Sequence, residues 1–152
     1  MATIEKSIEI LNDLIEINND RVAGFTHAAK ELNDKDLDLR TVFMQLRDDS
    51  RKNVHELGTA INKNGGEVEM GMSGSGALHR IWLDVKATFS GHDRKSVLAE
   101  CERGEDAIKK AYQTALSADS GLSPEFSEIV QRQQMGIIAG HNQIKALRDS
   151  RQ

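Results

Sequence analysis

Residues 4–33 read IEKSIEILNDLIEINNDRVAGFTHAAKELN, and a single periodicity runs through the whole stretch. Ile4, Ile8, Leu11, Ile15, Asn18, Val22, Phe25, Ala29 and Leu32 follow one another at alternating spacings of four and three. That spacing keeps one narrow face inward, as in a helix packed nearly parallel or antiparallel to a partner. Thr3 suits the N-cap, and Glu5 stands where the helix dipole favours an acid. The segment Asn33-Asp34-Lys35-Asp36 breaks the pattern and offers a cap for the next helix.

Working outward, a second stripe comprises Leu39, Val42/Phe43, Leu46, Ser50, Asn53, Leu57 and Ala60/Ile61, and Gly65-Gly66 ends it. The short turn between the two makes them antiparallel neighbours, each roughly 40 Å long at ~1.5 Å per residue. From Gly65 to His92 the chain changes character. Glycines lead into Leu78, Ile81, Trp82, Val85 and Phe89, the pattern of a short amphipathic helix closed by Gly91. A third long helix begins near Asp93 with Val97, Cys101, Gly104, Ile108, Ala111/Tyr112 and Ala115. After Ser120-Gly121, Ser123-Pro124-Glu125 reads as cap, proline in the first turn and dipole-matching acid. The last helix carries Phe126, Val130, Gln133, Ile137, Gly140, Ile144 and Leu147.

These elements predict an all-α, ferritin-like four-helix bundle occupying residues 1–152 as one domain. Its one long crossover contains the short extra helix, and helices two and three run parallel. Composition agrees: among 152 residues aromatics make up 4% and there is one proline, which disfavours an all-β fold. A net charge of −4 and a pI near 5.7 argue against a nucleic-acid footprint. No apolar run is long enough for a bilayer, and the lone Cys101 forms no internal disulfide. The expected protein is cytoplasmic.

The apolar stripes lapse where the helix midpoints meet. Asn18 and Asn19, Ser50 and Asn53, Glu105, Gln133 and His141 gather there as a buried polar layer. Glu105 lies within about 40° of Cys101 on the helical wheel at ~100° per residue, well inside the apolar arc. A carboxylate so placed needs a partner, and His141 or one of the amides is expected to supply it. Ferritin-like enzymes build a di-iron site at this level from inward carboxylates and Glu-x-x-His pairs. No Glu-x-x-His occurs in this chain. A metal site is therefore not predicted, although Glu105 and His141 are the residues an ion would use, and no catalytic or cofactor-binding residue is assigned. Gly71–Gly76 lacks the Gly-Lys-Ser/Thr of a phosphate loop and reads as a connector with Ser73 or Ser75 as a cap. Asp34, Asp36 and Asp38 read as caps or a solvated face. Ile10 and Ile17, with Leu14 and Gly24, form a second apolar line on the first helix. Either the crossover helix with Trp82 or a second subunit covers it, and a homo-oligomer through helix surfaces is the expectation.

Several segments together resemble a known family. They are Leu11-Asn12-Asp13-Leu14-Ile15-Glu16, Ala77-Leu78-His79-Arg80 before Trp82, Glu100-Cys101-Glu102-Arg103-Gly104-Glu105-Asp106 with Lys110-Ala111-Tyr112, and His141 before Ile144-Lys145-Ala146-Leu147-Arg148. The set resembles a bacterial ferritin-like four-helix-bundle family classed as a domain of unknown function. The resemblance covers nearly the whole chain and implies the ferritin-like fold, but no reaction. The functional expectation is a non-catalytic structural or interaction protein in stress physiology. Its alternative is a metal-binding ferritin-like protein that handles iron, or another divalent metal, or acts as an oxidase.

Overall fold

The computed structural model of the chain describes residues 3–32, 36–68 and 94–150. Among these residues stand four long helices: α1 Ile4–Glu31, α2 Leu37–Lys63, α3 Arg94–Ala115 and α4 Pro124–Asp149. The short helix expected at Leu78–Phe89 and the caps expected at Ser73 and Ser75 lie outside the described residues.

Local chemistry sets the helix ends. The Lys6 amide donates to Thr3 Oγ1 at 3.0 Å, closing the first turn of α1. Gly65 adopts φ +79° beyond the end of α2, and Gly121 adopts φ +86° before α4; L side chains avoid this region, so glycine fits both turns. Pro124 opens α4. Ser123 makes no cap hydrogen bond there; its hydroxyl instead pairs with Ser7 Oγ at 2.8 Å, joining the starts of α1 and α4. Of the acids read as caps or a solvated face, Asp38 is exposed, whereas Asp34 lies outside the described residues. Asp36 makes no cap bond, and Arg94 binds Asp36 at 3.2 Å and Asp38 at 2.9 Å, so these carboxylates tie the start of α2 to the start of α3.

These ties give the topology. The starts of α2 and α3 lie together at one end, and those of α1 and α4 at the other. Helices α2 and α3 therefore run the same way, and α2 finishes at the opposite end from where α3 begins. Around the bundle α1 packs between α2 and α3, and α4 closes the ring against α3 and, least extensively, against α2.

Helix α1 is the most enclosed. Ile10, Leu14 and Ile17 on its second apolar line are all buried within the single chain, with Ile17 at 3% exposure. The surface on which the expected second subunit was to rest is thus not left open. Among the described residues the core falls into two bodies. One gathers Ile10–Ile17, Leu57, Ile61, Ile108, Tyr112, Phe126 and Ile137; the other gathers Phe25–Leu32, Leu39, Phe43, Leu46, Leu98, Cys101 and Ile144. Between them, on all four helices, the apolar stripes give way to polar side chains.

Removing a fully buried side chain from one of these bodies leaves a cavity as well as losing transfer free energy. Leu57→Ala should lower unfolding free energy by about 2–5 kcal/mol in urea titration, whereas Leu37→Ala, at a residue 57% exposed, should stay within ~0.5 kcal/mol.

Candidate functional site

The polar layer is organised by a residue outside the main stripe of α1. Arg21 is 1% exposed and Glu105 0% exposed. They form a two-pronged ion pair: Arg21 Nε donates to Glu105 Oε1 at 2.7 Å, and Nη2 to Oε2 at 2.7 Å. Parallel N–H donation to both carboxylate oxygens is the strongest geometry open to such a pair. The guanidinium carbon also stands 5.5 Å from the centre of the Phe25 ring, which in turn lies 5.4 Å from the Phe43 ring. The partner of Glu105 is therefore Arg21, not His141 or an amide as the sequence suggested.

From Arg21 a hydrogen-bonded series crosses the bundle. Its Nη1 donates to Ser50 Oγ at 3.1 Å, and Ser50 donates to Asn18 Oδ1 at 2.8 Å. Asn18 Nδ2 donates to Tyr112 Oη at 2.8 Å, and Tyr112 donates to Gln133 Oε1 at 2.7 Å. Gln133 Nε2 then donates to Glu56 Oε1 at 2.8 Å, and Arg132 Nη2 pairs with the other oxygen, Glu56 Oε2, at 2.6 Å. The two ends fix the direction of every bond. A guanidinium only donates, so Ser50 must accept and turn its hydrogen toward Asn18. A carboxylate only accepts, so Gln133 must present its nitrogen to Glu56 and its oxygen to Tyr112. Asn53, half-buried, adds a second donor to Asn18 Oδ1 at 3.2 Å.

Burial pushes the Tyr112 phenol well above its ordinary range, against the opposing bond from Asn18, so it stays protonated as the series requires. Arg132 chiefly, with Gln133, holds the Glu56 carboxyl below its usual value against the effect of partial burial. Cys101 lies one turn before Glu105; burial foremost, then the charges of Glu105 and Glu100, raises its thiol well above the usual range. It is a buried hydrophobe rather than a nucleophile.

Asn18, Ser50, Glu105 and Gln133 thus share one connected layer with Arg21 and Tyr112. Asn19 is only half-buried and does not belong to the buried layer where the sequence put it. His141 is buried but turns elsewhere, its Nε2 facing Asp106 Oδ1 at 2.5 Å. Glu105 and His141 therefore do not converge on one ion.

Arg21 was not singled out in the sequence, yet a signal was present. The second apolar line of α1 steps from Ile10 through Leu14 and Ile17 to Gly24, and Arg21 falls in the gap between the last two. A lone cation on that line and a lone anion on the apolar arc of α3 are natural partners.

Gly140 on α4 makes room for the pair. A Cβ placed there would lie 2.6 Å from Arg21 Nη2, 3.1 Å from Leu46 and 3.2 Å from Glu105 Oε2.

The donor chemistry does not fit the di-metal centre of ferritin-like enzymes, which gathers carboxylates and imidazoles from all four helices. Here a guanidinium takes both oxygens of Glu105, while α1 and α2 supply an amide and a hydroxyl. A permanent cation already provides the compensation that a metal would bring.

Over residues 6–118 the sequence matches the model of the family described as Domain of unknown function (DUF2383). The chain belongs to this family. No curated protein matches it. The DUF2383 segment holds Asn18, Arg21, Ser50, Glu56, Glu105 and Tyr112, whereas Gln133, Gly140 and His141 on α4 follow it.

Removing one partner of a buried pair strands the other charge, at a cost of ~3–5 kcal/mol, whereas replacing both with apolar groups is often neutral. Glu105→Gln should therefore destabilise by about that amount, and Arg21→Met/Glu105→Leu should recover most of it in denaturant unfolding. Gly140→Ala should cost ~1–3 kcal/mol in the parent and less in the double variant, which lacks the guanidinium and the carboxylate that the added methyl group would meet.

Proposed function

We propose that this DUF2383 protein is a non-catalytic, ferritin-like helical bundle with a structural or interaction role. The observation that supports this reading is the Arg21 guanidinium at mid-height, bound through both prongs to Glu105. It stands where a redox metal would act, and the surrounding groups are committed to a single hydrogen-bond arrangement. A tyrosine held protonated and a thiol held neutral add no nucleophile or base. The ferritin-like part rests on the common direction of α2 and α3, which calls for one connection returning along the bundle, as in ferritin-like folds. The iron-handling or oxidase alternative has no donor set at the centre.

No described helix is long and apolar enough to cross a membrane. Self-association through helix surfaces is part of the same reading, with Leu37 on α2 and Met135 on α4, at 57% and 73% exposure, as the apolar side chains through which copies meet. Light scattering should show a mass above the monomer that falls for Leu37→Glu/Met135→Glu; a monomer at every concentration rejects this part.

The functional test is metal analysis of tag-free protein from cells supplemented with iron or manganese, combined with oxygen uptake. The expected result is no oxygen uptake and the same metal content in the parent and in Arg21→Met/Glu105→Leu. Two metal ions per chain that are lost in that double variant, with oxygen consumed in the parent, would overturn the reading.

A further inference from the structure

Outside the central layer, α3 and α4 bring three metal-ligating side chains together on the surface. Glu102 and Asp106 are four residues apart and so share one face of α3, and His141 comes from α4. One ligand atom from each lies within 4.8 Å of the others, and among the described residues no other group of three or more His, Cys, Asp or Glu does so.

The imidazole is oriented for the purpose. His141 is nine-tenths buried, and its Nδ1 stands 3.3 Å from Asn142 Oδ1, an acceptor that calls for the ring hydrogen. With the ring hydrogen on Nδ1, it is the lone pair of Nε2 that faces Asp106 Oδ1, 2.5 Å away. At that separation a shared proton joins the two atoms, and a metal ion would take the proton's place with the exposed Asp106 carboxylate moving outward by somewhat under ~1 Å.

Glu102 carries a second sign. Its Oε1 is shut off from solvent and accepts no hydrogen bond. Arg148 Nη1 approaches it to 2.6 Å, so the contact is one of charge without the alignment of a donated N–H. Arg148 also pairs with Asp149 at 3.0 Å and is one-third exposed, so it is free to withdraw from Glu102. Asp106 is 61% exposed, which leaves one side of the group open to water.

We propose that Glu102, Asp106 and His141 bind one divalent first-row transition ion, with solvent completing its shell and Arg148 competing for Glu102. Two carboxylates and one imidazole suit Zn²⁺, Co²⁺, Mn²⁺ or Fe²⁺, whereas Mg²⁺ and Ca²⁺ prefer oxygen-only sets. Three protein ligands with an open position match metal sites that hold water. This site is separate from Arg21 and Glu105, so it stands or falls independently of the function proposed above.

The test uses tag-free full-length protein and the metals themselves. Zn²⁺ is titrated in competition with a chromophoric chelator, and Co²⁺ is followed by its visible absorption. The expected result is one equivalent bound, with affinity weakened by ~10-fold or more in His141→Ala and in Asp106→Asn. Arg148→Met should bind more tightly than the parent, and His55→Ala should bind equally. Asp106→Asn changes an exposed side chain and serves as the folded control, verified by circular dichroism. Absence of saturable binding near one equivalent, or binding that survives both ligand substitutions, would falsify the proposal; in that case a proton bridges His141 and Asp106.

Discussion

A guanidinium and a carboxylate, both sealed from water, face each other at the centre of this bundle, and the rest of the structure accommodates them. Taking two charges out of water costs several kcal/mol each, and their attraction offsets this only when geometry is good and the remaining donors are satisfied. Both conditions hold here. Glu105 receives two short bonds, and the remaining terminal nitrogen of Arg21 donates to Ser50. Since an apolar pair of similar volume is often as stable, the pair is better understood through what it forbids than through what it adds. It forbids slippage. Moving α1 by one turn against α3 would leave both charges among the aliphatic side chains on either side.

The hydrogen-bonded series extends that restriction to all four helices. A chain of amides and hydroxyls between neutral ends has two equivalent senses, because each group both donates and accepts. Here the series starts from a group that only donates and finishes on one that only accepts, so one sense survives. Ser50 on α2, Asn18 on α1, Tyr112 on α3 and Gln133 on α4 are each fixed by the neighbour before them. Aliphatic stripes alone tolerate several registers at similar energy, and Leu- and Ile-rich helices need such a device to select one.

What could be read in the sequence follows from the range of each interaction. Helix spans, the cap at Thr3, and the turns at Gly65 and Gly121 depend on neighbours a few residues away, and the stripes beginning at Ile4 and Leu39 record which face each helix buries. The inward placement of Glu105 came from the same source, since Cys101, Ile108 and Tyr112 surround it on the helical wheel. Its partner was a different matter. Arg21 and Glu105 are 84 residues apart, and periodicity carries no information about which polar groups meet across a core. An arginine is ordinarily assigned to solvent, so one occupying the phase of Ile17 and Gly24 escaped notice. Asn19 shows the converse error: adjacency to Asn18 suggested a shared layer, but a step of about 100° turns it toward the rim.

The family match ends at residue 118, before α4 begins, and this bears on how the centre is assembled. Both charges of the pair, and four of the remaining groups of the series, lie on helices within the matched segment. The contribution of α4 at the level of the pair is mainly permissive: Gly140 leaves the space that Arg21 Nη2 occupies, and no side chain larger than hydrogen fits there without displacing a group held by two short bonds. Three helices therefore define the centre, and the fourth must conform to it. Its other inward groups conform in two different ways, Gln133 by completing the series to Glu56 and His141 by leaving the axis for Asp106 on α3. The middle of the bundle is thus occupied by the protein's own cation, and the imidazole of α4 meets its carboxylate partner on α3 away from that pair.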